Sequence, residues 1–202
     1  MPKIFVKRTE KDWVESIKEL LKQALSSEFK ISTQDELPYA WEIWAYVKTG
    51  KGFSPAKGYE KSQPYETDLL IYEEIKEQIK PRIIIEAKIS NPTTHDAITY
   101  SHKAAQHKAV MPYLRYGMMV GLMRQHYPLP GRLFRHGINF DFMIGFKEAE
   151  LTPTEKDSLI ELINSEWHAS EQIEEMLSES RNRKRKRYFM LQNALCLKEI
   201  GN

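Results

Sequence analysis

Two stretches decide how the chain is read. Residues 64–72 are Pro-Tyr-Glu-Thr-Asp-Leu-Leu-Ile-Tyr, and residues 81–89 are Pro-Arg-Ile-Ile-Ile-Glu-Ala-Lys-Ile. Both read as strands, over 66–73 and 82–89, joined by a short polar turn. Each carries charge where a buried strand should carry none. Asp68 heads the first, and the second runs three isoleucines and then sets Glu86 and Lys88 two residues apart. Side chains alternate faces along a strand, so Ile84, Glu86 and Lys88 share one face while Ile83, Ile85, Ala87 and Ile89 share the other. One face buries hydrocarbon; the other aims a carboxylate and an amine at a common spot. The competing reading is a surface hairpin whose charges simply face water. Against it, Ile83–Ile85 is apolar on both faces, as an interior strand requires.

Outward from this pair, apolar residues at Trp13, Val14, Ile17, Leu20, Leu21, Ala24 and Leu25 recur at three and four, which predicts an amphipathic helix over 10–27. A second helix is expected over 36–48, with Leu37, Trp41, Trp44 and Ala45 as its buried stripe and Pro38 in its first turn. Residues 51–64, with two Pro and two Gly, read as a loop. After the charged strand, Thr94 is a candidate cap for a helix over 95–111. A strand at 116–123, an Arg-, Pro- and Gly-rich loop at 124–137 and a strand at 137–146 follow. Thr152-Pro153 opens a long acidic helix at about 153–179, and Tyr188–Ile200 reads as helical again. This order predicts a mixed α/β protein with a central sheet flanked by helices. Residues 1–150 form its core, and 151–202 form a C-terminal helical extension of the same domain.

Composition narrows the class. The 202 residues are 41% apolar and 29% charged, and no apolar run approaches the length of a membrane span. The N-terminus has no long apolar region of the signal-peptide kind. The single cysteine, Cys196, cannot form an internal disulfide, which points to a reducing cytoplasm and excludes thiolate-rich zinc sites. His95, His102 and His107 do not share one helical face, so a histidine zinc site is not expected either. The net charge of +2 conceals segregation. Ala97–Phe140 contains no Asp or Glu but holds Lys103, Lys108, Arg115, Arg124, Arg132 and Arg135; Lys147–Glu179 holds ten acids against two lysines. Residues 181–187 are a basic run, read as compensation of a helix C-terminus or as a clamping arm.

The chemistry that fits Asp68, Glu86 and Lys88 is phosphodiester hydrolysis. Negative charge builds on the phosphoryl oxygens and a water must lose a proton near neutral pH; Mg²⁺ serves both needs and prefers carboxylate oxygens. Asp68 and Glu86 can supply two carboxylates, the backbone carbonyl of Ala87 a third ligand. Lys88 can orient the attacking water or stabilise developing charge, and a neighbouring metal would lower its pKa toward that of a base.

Asp68, a gap, then Ile83-Ile-Ile-Glu86-Ala-Lys88 resembles the signature of the PD-(D/E)XK nuclease superfamily, the fold of many restriction endonucleases. The likeness spans roughly residues 36–146. It implies a restriction-endonuclease-like fold, Asp68 and Glu86 as Mg²⁺ ligands (Mn²⁺ substituting) and Lys88 as the catalytic lysine. Thr67 stands where the pattern often has proline. Gln106 is followed four residues on by Val110, so the branch with a Gln-x-x-x-Tyr pair is not matched. Other branches place a metal-linked glutamate on the preceding helix, which makes Glu42 a candidate.

The acid-free window is what a polyanion-binding face looks like, with a solvated basic face as the alternative. Tyr100, Lys103 and His107 recur along one face of the helix after the motif strand. Together with Arg115, Arg124, Arg132 and Arg135 they are the expected DNA contacts. The 124–137 loop either enters a DNA groove, where Arg reads guanine edges, or is an ordinary connection. The expectation is a Mg²⁺-dependent endodeoxyribonuclease, foremost a type II restriction enzyme acting on DNA as a homodimer. A repair or phage-type nuclease, or a non-catalytic nucleic-acid-binding protein of the same fold, is the alternative.

Overall fold

Ile83, Ile84 and Ile85 are completely buried in the central strand of a five-stranded sheet, where a β-branched run belongs. At ~1.5–3 kcal/mol for each fully buried side chain, these three residues alone anchor the strand firmly. The computed structural model describes residues 9–178, 190 and 196–198. Its elements run α1 (Glu10–Ala24), β1 (Lys30–Ser32), β2 (Asp35–Ile43), β3 (Tyr46–Thr49), β4 (Gly52–Pro55), β5 (Glu60–Thr67), β6 (Leu69–Ile75), β7 (Gln78–Ile89), α2 (Thr94–Val110), β8 (Arg115–Gly121), α3 (Gly131–His136), β9 (Phe142–Gly145) and α4 (Pro153–Ser178). The basic run 181–187 lies outside the described residues, as does nearly all of the helix expected at 188–200.

The sheet order is β1-β6-β7-β8-β9. β1, β6 and β7 are antiparallel neighbours, whereas β7, β8 and β9 run parallel. Helix α2 provides the crossover that a parallel β7–β8 pair needs. The fold is therefore mixed α/β, a central mixed sheet flanked by helices with a C-terminal helix on one face, as the pattern of elements predicts. The alternation read from 83–89 holds. Ile83, Ile85 and Ala87 pack with Trp13, Ile17 and Leu21 of α1 and Leu159, Ile163 and Trp167 of α4. Ile84 packs on the opposite face with Ala104 of α2, Leu114 and Tyr116. Close approach fixes two glycines of β8: a Cβ on Gly117 would lie 2.1 Å from the Phe142 ring, and one on Gly121 would lie 2.4 Å from Trp13. Among the described residues no helix is long and apolar enough to cross a membrane.

Residues 35–67 correct the sequence reading. The expected helix over 36–48 and the expected loop over 51–64 are instead the two sides of a long β-ribbon, β2 with β5 and β3 with β4. Leu37, Trp41, Trp44 and Ala45 have helical spacing, but Trp-Glu-Ile-Trp-Ala-Tyr-Val is aromatic and β-branched, which favours a pleated strand. Its prolines are tolerated because a two-stranded ribbon has only edge strands. Pro38 pairs with Pro64 where the register shifts. Trp41 and Trp44, expected in the core, are exposed at 56% and 63%. The last strand is also shorter than the expected 137–146. Before it, the Asp141 N–H donates to the Tyr116 carbonyl at 2.8 Å while its side chain accepts the Tyr116 N–H at 2.7 Å, so a carboxylate stands in for the second bond of a strand pair.

Candidate functional site

The register of β6 on β7 places the two carboxylates together. Leu69 pairs with Ile85, so Asp68, one residue earlier, comes opposite Glu86. At this point β6 has not yet begun, and Asp68 Oδ2 accepts the Ala87 N–H at 2.7 Å in place of a backbone carbonyl. The N–H and C=O of one strand residue point to the same side, so the Ala87 carbonyl faces this same edge.

Glu86 is 1% exposed and accepts the Tyr116 hydroxyl, while Lys103 of α2 lies 3.5 Å from the same oxygen. Burial pushes its carboxyl up to about 7; Lys103 opposes that shift, whereas Asp68, within hydrogen-bonding reach, adds to it. Tyr116 is itself displaced upward by burial and by the Glu86 charge.

Lys88 donates to Glu10 Oε1 at 3.0 Å and sits 5.3 Å from the centre of the Tyr100 ring. Burial works against its charge, but hydrogen bonds to Tyr100 and Glu10 outweigh it, and the pKa moves up. The hydrogen bond to Tyr100 contributes the larger upward push and that to Glu10, a residue the sequence reading does not bring to the site, the next. Lys88 is an ammonium here, fit to orient a water or neutralise an anion. Tyr100 is pushed up to about 12 by burial, and its ring also lies 5.3 Å from Lys103 Nζ. Tyr100 thus bridges the two lysines.

A cleft of about 220 Å³ opens beside Asp68, between the first turns of α1 and the β1–β2 connection; Glu10, Glu15 and Glu66 contribute to its wall. Glu10 is placed there by a capping box: Thr9 and Asp12 exchange hydrogen bonds and fix the first turn of α1.

The other expected site residues divide. Lys103 and Tyr100 join the cluster. His107 does not face a ligand, because it is fully buried with Nε2 3.1 Å from the Leu37 carbonyl. Glu42 is not at the site. Its helix does not exist, and it is exposed on the ribbon opposite Lys61, seven residues beyond Asp35 and so roughly 23 Å along the strand from the β2 end nearest Asp68. Arg115 is held by Asp141 at 2.9 Å and Glu166 at 2.6 Å, on the side where α4 packs. Arg132 is bonded to Asn91 and the Pro92 carbonyl. Arg124 faces Glu148 loosely at 3.8 Å, and Arg135 is exposed. The acid-free window is therefore not one continuous face, since acids from outside it reach back to neutralise part of it. Within the 124–137 loop, Arg124–His126 forms a single 3-10 turn and Gly131–His136 the short α3.

Glu10 and Tyr116 were the residues missed. A helix-opening glutamate and a strand tyrosine carry no sequence signal that ties them to the motif; Glu86 contacts Tyr116 across 30 residues and Lys88 contacts Glu10 across 78.

Among the described residues, no three His, Cys, Asp or Glu side chains are close enough together to hold an ion alone. Mg²⁺ does not need three, because it binds through one or two carboxylates and retains several waters. Asp68, Glu86 and the Ala87 carbonyl fit that demand: the two carboxylates lie opposite each other in the β6–β7 register, and Asp68 is anchored on the Ala87 N–H. In comparisons with known proteins, no family model and no curated protein matches the chain.

Proposed function

We propose that the chain is a metal-dependent phosphodiesterase. More narrowly, we read it as a PD-(D/E)XK-type endodeoxyribonuclease, with restriction of DNA as a homodimer the first biological role to test. The observation that carries this reading is the buried Glu86 beside Asp68, raised to about 7, with protonated Lys88 on the same strand face. Asp68, Glu86 and the Ala87 carbonyl would hold Mg²⁺ or Mn²⁺, which when bound supplies Lewis acidity and lowers the pKa of a coordinated water. Lys88 orients the attacking water and offsets the charge that develops on the phosphoryl oxygens. Tyr100 and Glu10 hold the Lys88 ammonium in place. Lys103 keeps a cation against Glu86 and stands where a backbone phosphate would meet α2. Of the four carboxylates on the cleft wall, Glu10 is paired with Lys88 and Glu15 with Lys18, and Lys11 joins the wall; a cation held by Asp68 and Glu86 would offset the remaining negative charge toward a polyanion.

The test is cleavage of supercoiled plasmid with Mg²⁺ or Mn²⁺, against EDTA, for the wild type, Asp68→Ala and Lys88→Ala. Nicking by the wild type alone is the expected result. Absence of cleavage under every metal condition, or undiminished cleavage by both variants, overturns the reading. A DNA methyltransferase gene beside this one would support restriction.

A further inference from the structure

The ribbon that replaced the expected helix has a tip that the rest of the fold does not use. Hydrogen bonds continue through the link between its two ladders, from Trp44 N–H to the Tyr59 carbonyl and from Ala56 N–H to the Ala45 carbonyl. The arm is thus one ladder from its root at Asp35–Thr67 to the Gly50–Lys51 turn, up to roughly 45 Å at ~3.3 Å per residue. Its root ends next to Asp68, and there the Tyr65 ring lies 5.4 Å from Lys103. At the tip, Lys48 pairs with Phe53 and Tyr46 with Pro55, so Tyr46, Lys48 and Phe53 share one face. Tyr46 is 59% and Phe53 71% exposed, and a shallow recess of about 360 Å³ lies between them. From Ile43 to Tyr59 the arm has no acid but three lysines, Lys48, Lys51 and Lys57. None of the three pairs with an acid among the described residues.

Exposed aromatics interleaved with unpaired cations call for a partner that offers flat apolar faces and negative charge at once. A nucleic-acid strand does so: bases stack on aromatic rings while lysines hold the flanking phosphates. A second copy of this chain or an apolar protein groove would satisfy the rings and leave the lysines unanswered. We propose that the arm tip is a nucleic-acid contact remote from the cleavage centre, with Tyr46 and Phe53 stacking on an accessible base and Lys48 and Lys51 on adjacent phosphates. It rests on the nuclease reading for its biological sense, and its preferred ligand is a strand with unpaired bases, where the stacking faces are open.

Binding is measured by fluorescence anisotropy in EDTA, with the full chain, a labelled 20-nucleotide single strand and a labelled 20-base-pair duplex, over a salt series. The paired substitution Tyr46→Ala with Phe53→Ala is expected to weaken single-strand binding at least tenfold and duplex binding less. The pair Lys48→Ala with Lys51→Ala is expected to weaken both and to flatten the single-strand salt slope by about 1.4, at ~0.7 per phosphate contact. Unaltered thermal melting confirms that these exposed positions leave the fold intact. Wild-type affinity of both variants for both probes overturns the proposal, even if the wild type cuts plasmid. It is equally overturned if the aromatic pair changes molar mass in solution while leaving nucleic-acid affinity intact, which would make the arm a subunit contact. If the arm variants lose binding but the wild type never cuts, the arm contact stands and the nuclease reading falls.

Discussion

Strand β7 carries a buried charge at each end, and the two ends treat it oppositely. Arg82, 3% exposed, pairs with Glu73 and with Glu174 at 2.7 Å, and its guanidinium lies over Tyr113 and Trp167 at 5.5 and 5.8 Å. Apart from its Nε it finds partners within the protein. Burial pushes Glu174 up, but Lys80 and Arg82 more than compensate, and it ends below the ordinary carboxylate range. Four residues further along β7 the balance changes sign: burial pushes Glu86 up, Lys103 does not compensate, and Asp68 adds to the shift. One cluster is complete as folded and welds α4 to the sheet. The other is left short of positive charge, the kind of imbalance on which the proposed metal site rests.

Breaking the deficient end should affect chemistry most. Glu86→Gln and Asp68→Asn are expected to reduce metal-dependent cleavage at least ~10⁴-fold, equivalent to ~5.5 kcal/mol in the barrier. Stability above neutral pH should hold or rise, because a buried charge is removed. Plasmid cleavage and urea unfolding on the same preparations check both halves. Breaking the complete end should do the reverse. Arg82→Ala leaves Glu73 and Glu174 without their buried partner, and the expected cost is ~3–5 kcal/mol of stability, read as a fall in the urea midpoint.

The two ends should also respond oppositely to pH in metal-free buffer. Glu86 is raised from 4.5 to about 7, so it holds its proton more tightly when folded; its contribution is complete below pH 4.5 and disappears as pH rises through about 7. The amount is on the order of 3 kcal/mol. Glu174 is lowered, so its contribution is present above 4.5 and disappears as pH falls through its folded value. Thermal melting against pH in EDTA should show the neutral-side loss in the wild type and not in Glu86→Gln, and adding Mg²⁺ should reduce it. The smallest effect concerns α2, which carries Tyr100 and Lys103. Thr93 caps this helix in a box with Asp96, and Thr93→Ala should cost ~1 kcal/mol, measured by thermal melting.

Legibility followed the range of the interactions. The Ile83–Lys88 alternation was readable because period two is a local property, and the order of strand, helix and strand around it follows from α2's length, although its cap is Thr93, one residue before the Thr94 that the sequence suggests. The 36–48 segment was misread because Leu37, Trp41, Trp44 and Ala45 satisfy helical spacing by coincidence. Its aromatic and β-branched composition favours a strand, but its partner, 60–67, is set by long-range pairing. Asp68 and Glu86 were found together because antiparallel register joins neighbouring strands. Glu10 was not, because its approach to Lys88 depends on how α1 packs across the sheet. The arginines of the acid-free window were overread for a related reason: Asp141 and Glu166, which hold Arg115, lie outside it.

One detail of Asp68 bears on which ion such a site would accept. Its Oδ2 accepts the Ala87 N–H at 2.7 Å, which fixes the carboxylate's orientation and takes up one of that oxygen's two lone pairs. The end of a β-strand thereby reduces the lone pairs this side chain would offer a cation. A small cation with octahedral demand is satisfied by one oxygen per carboxylate and completes its sphere with water. Ca²⁺, which fills six to eight positions and often takes both oxygens of one carboxylate, is served less well.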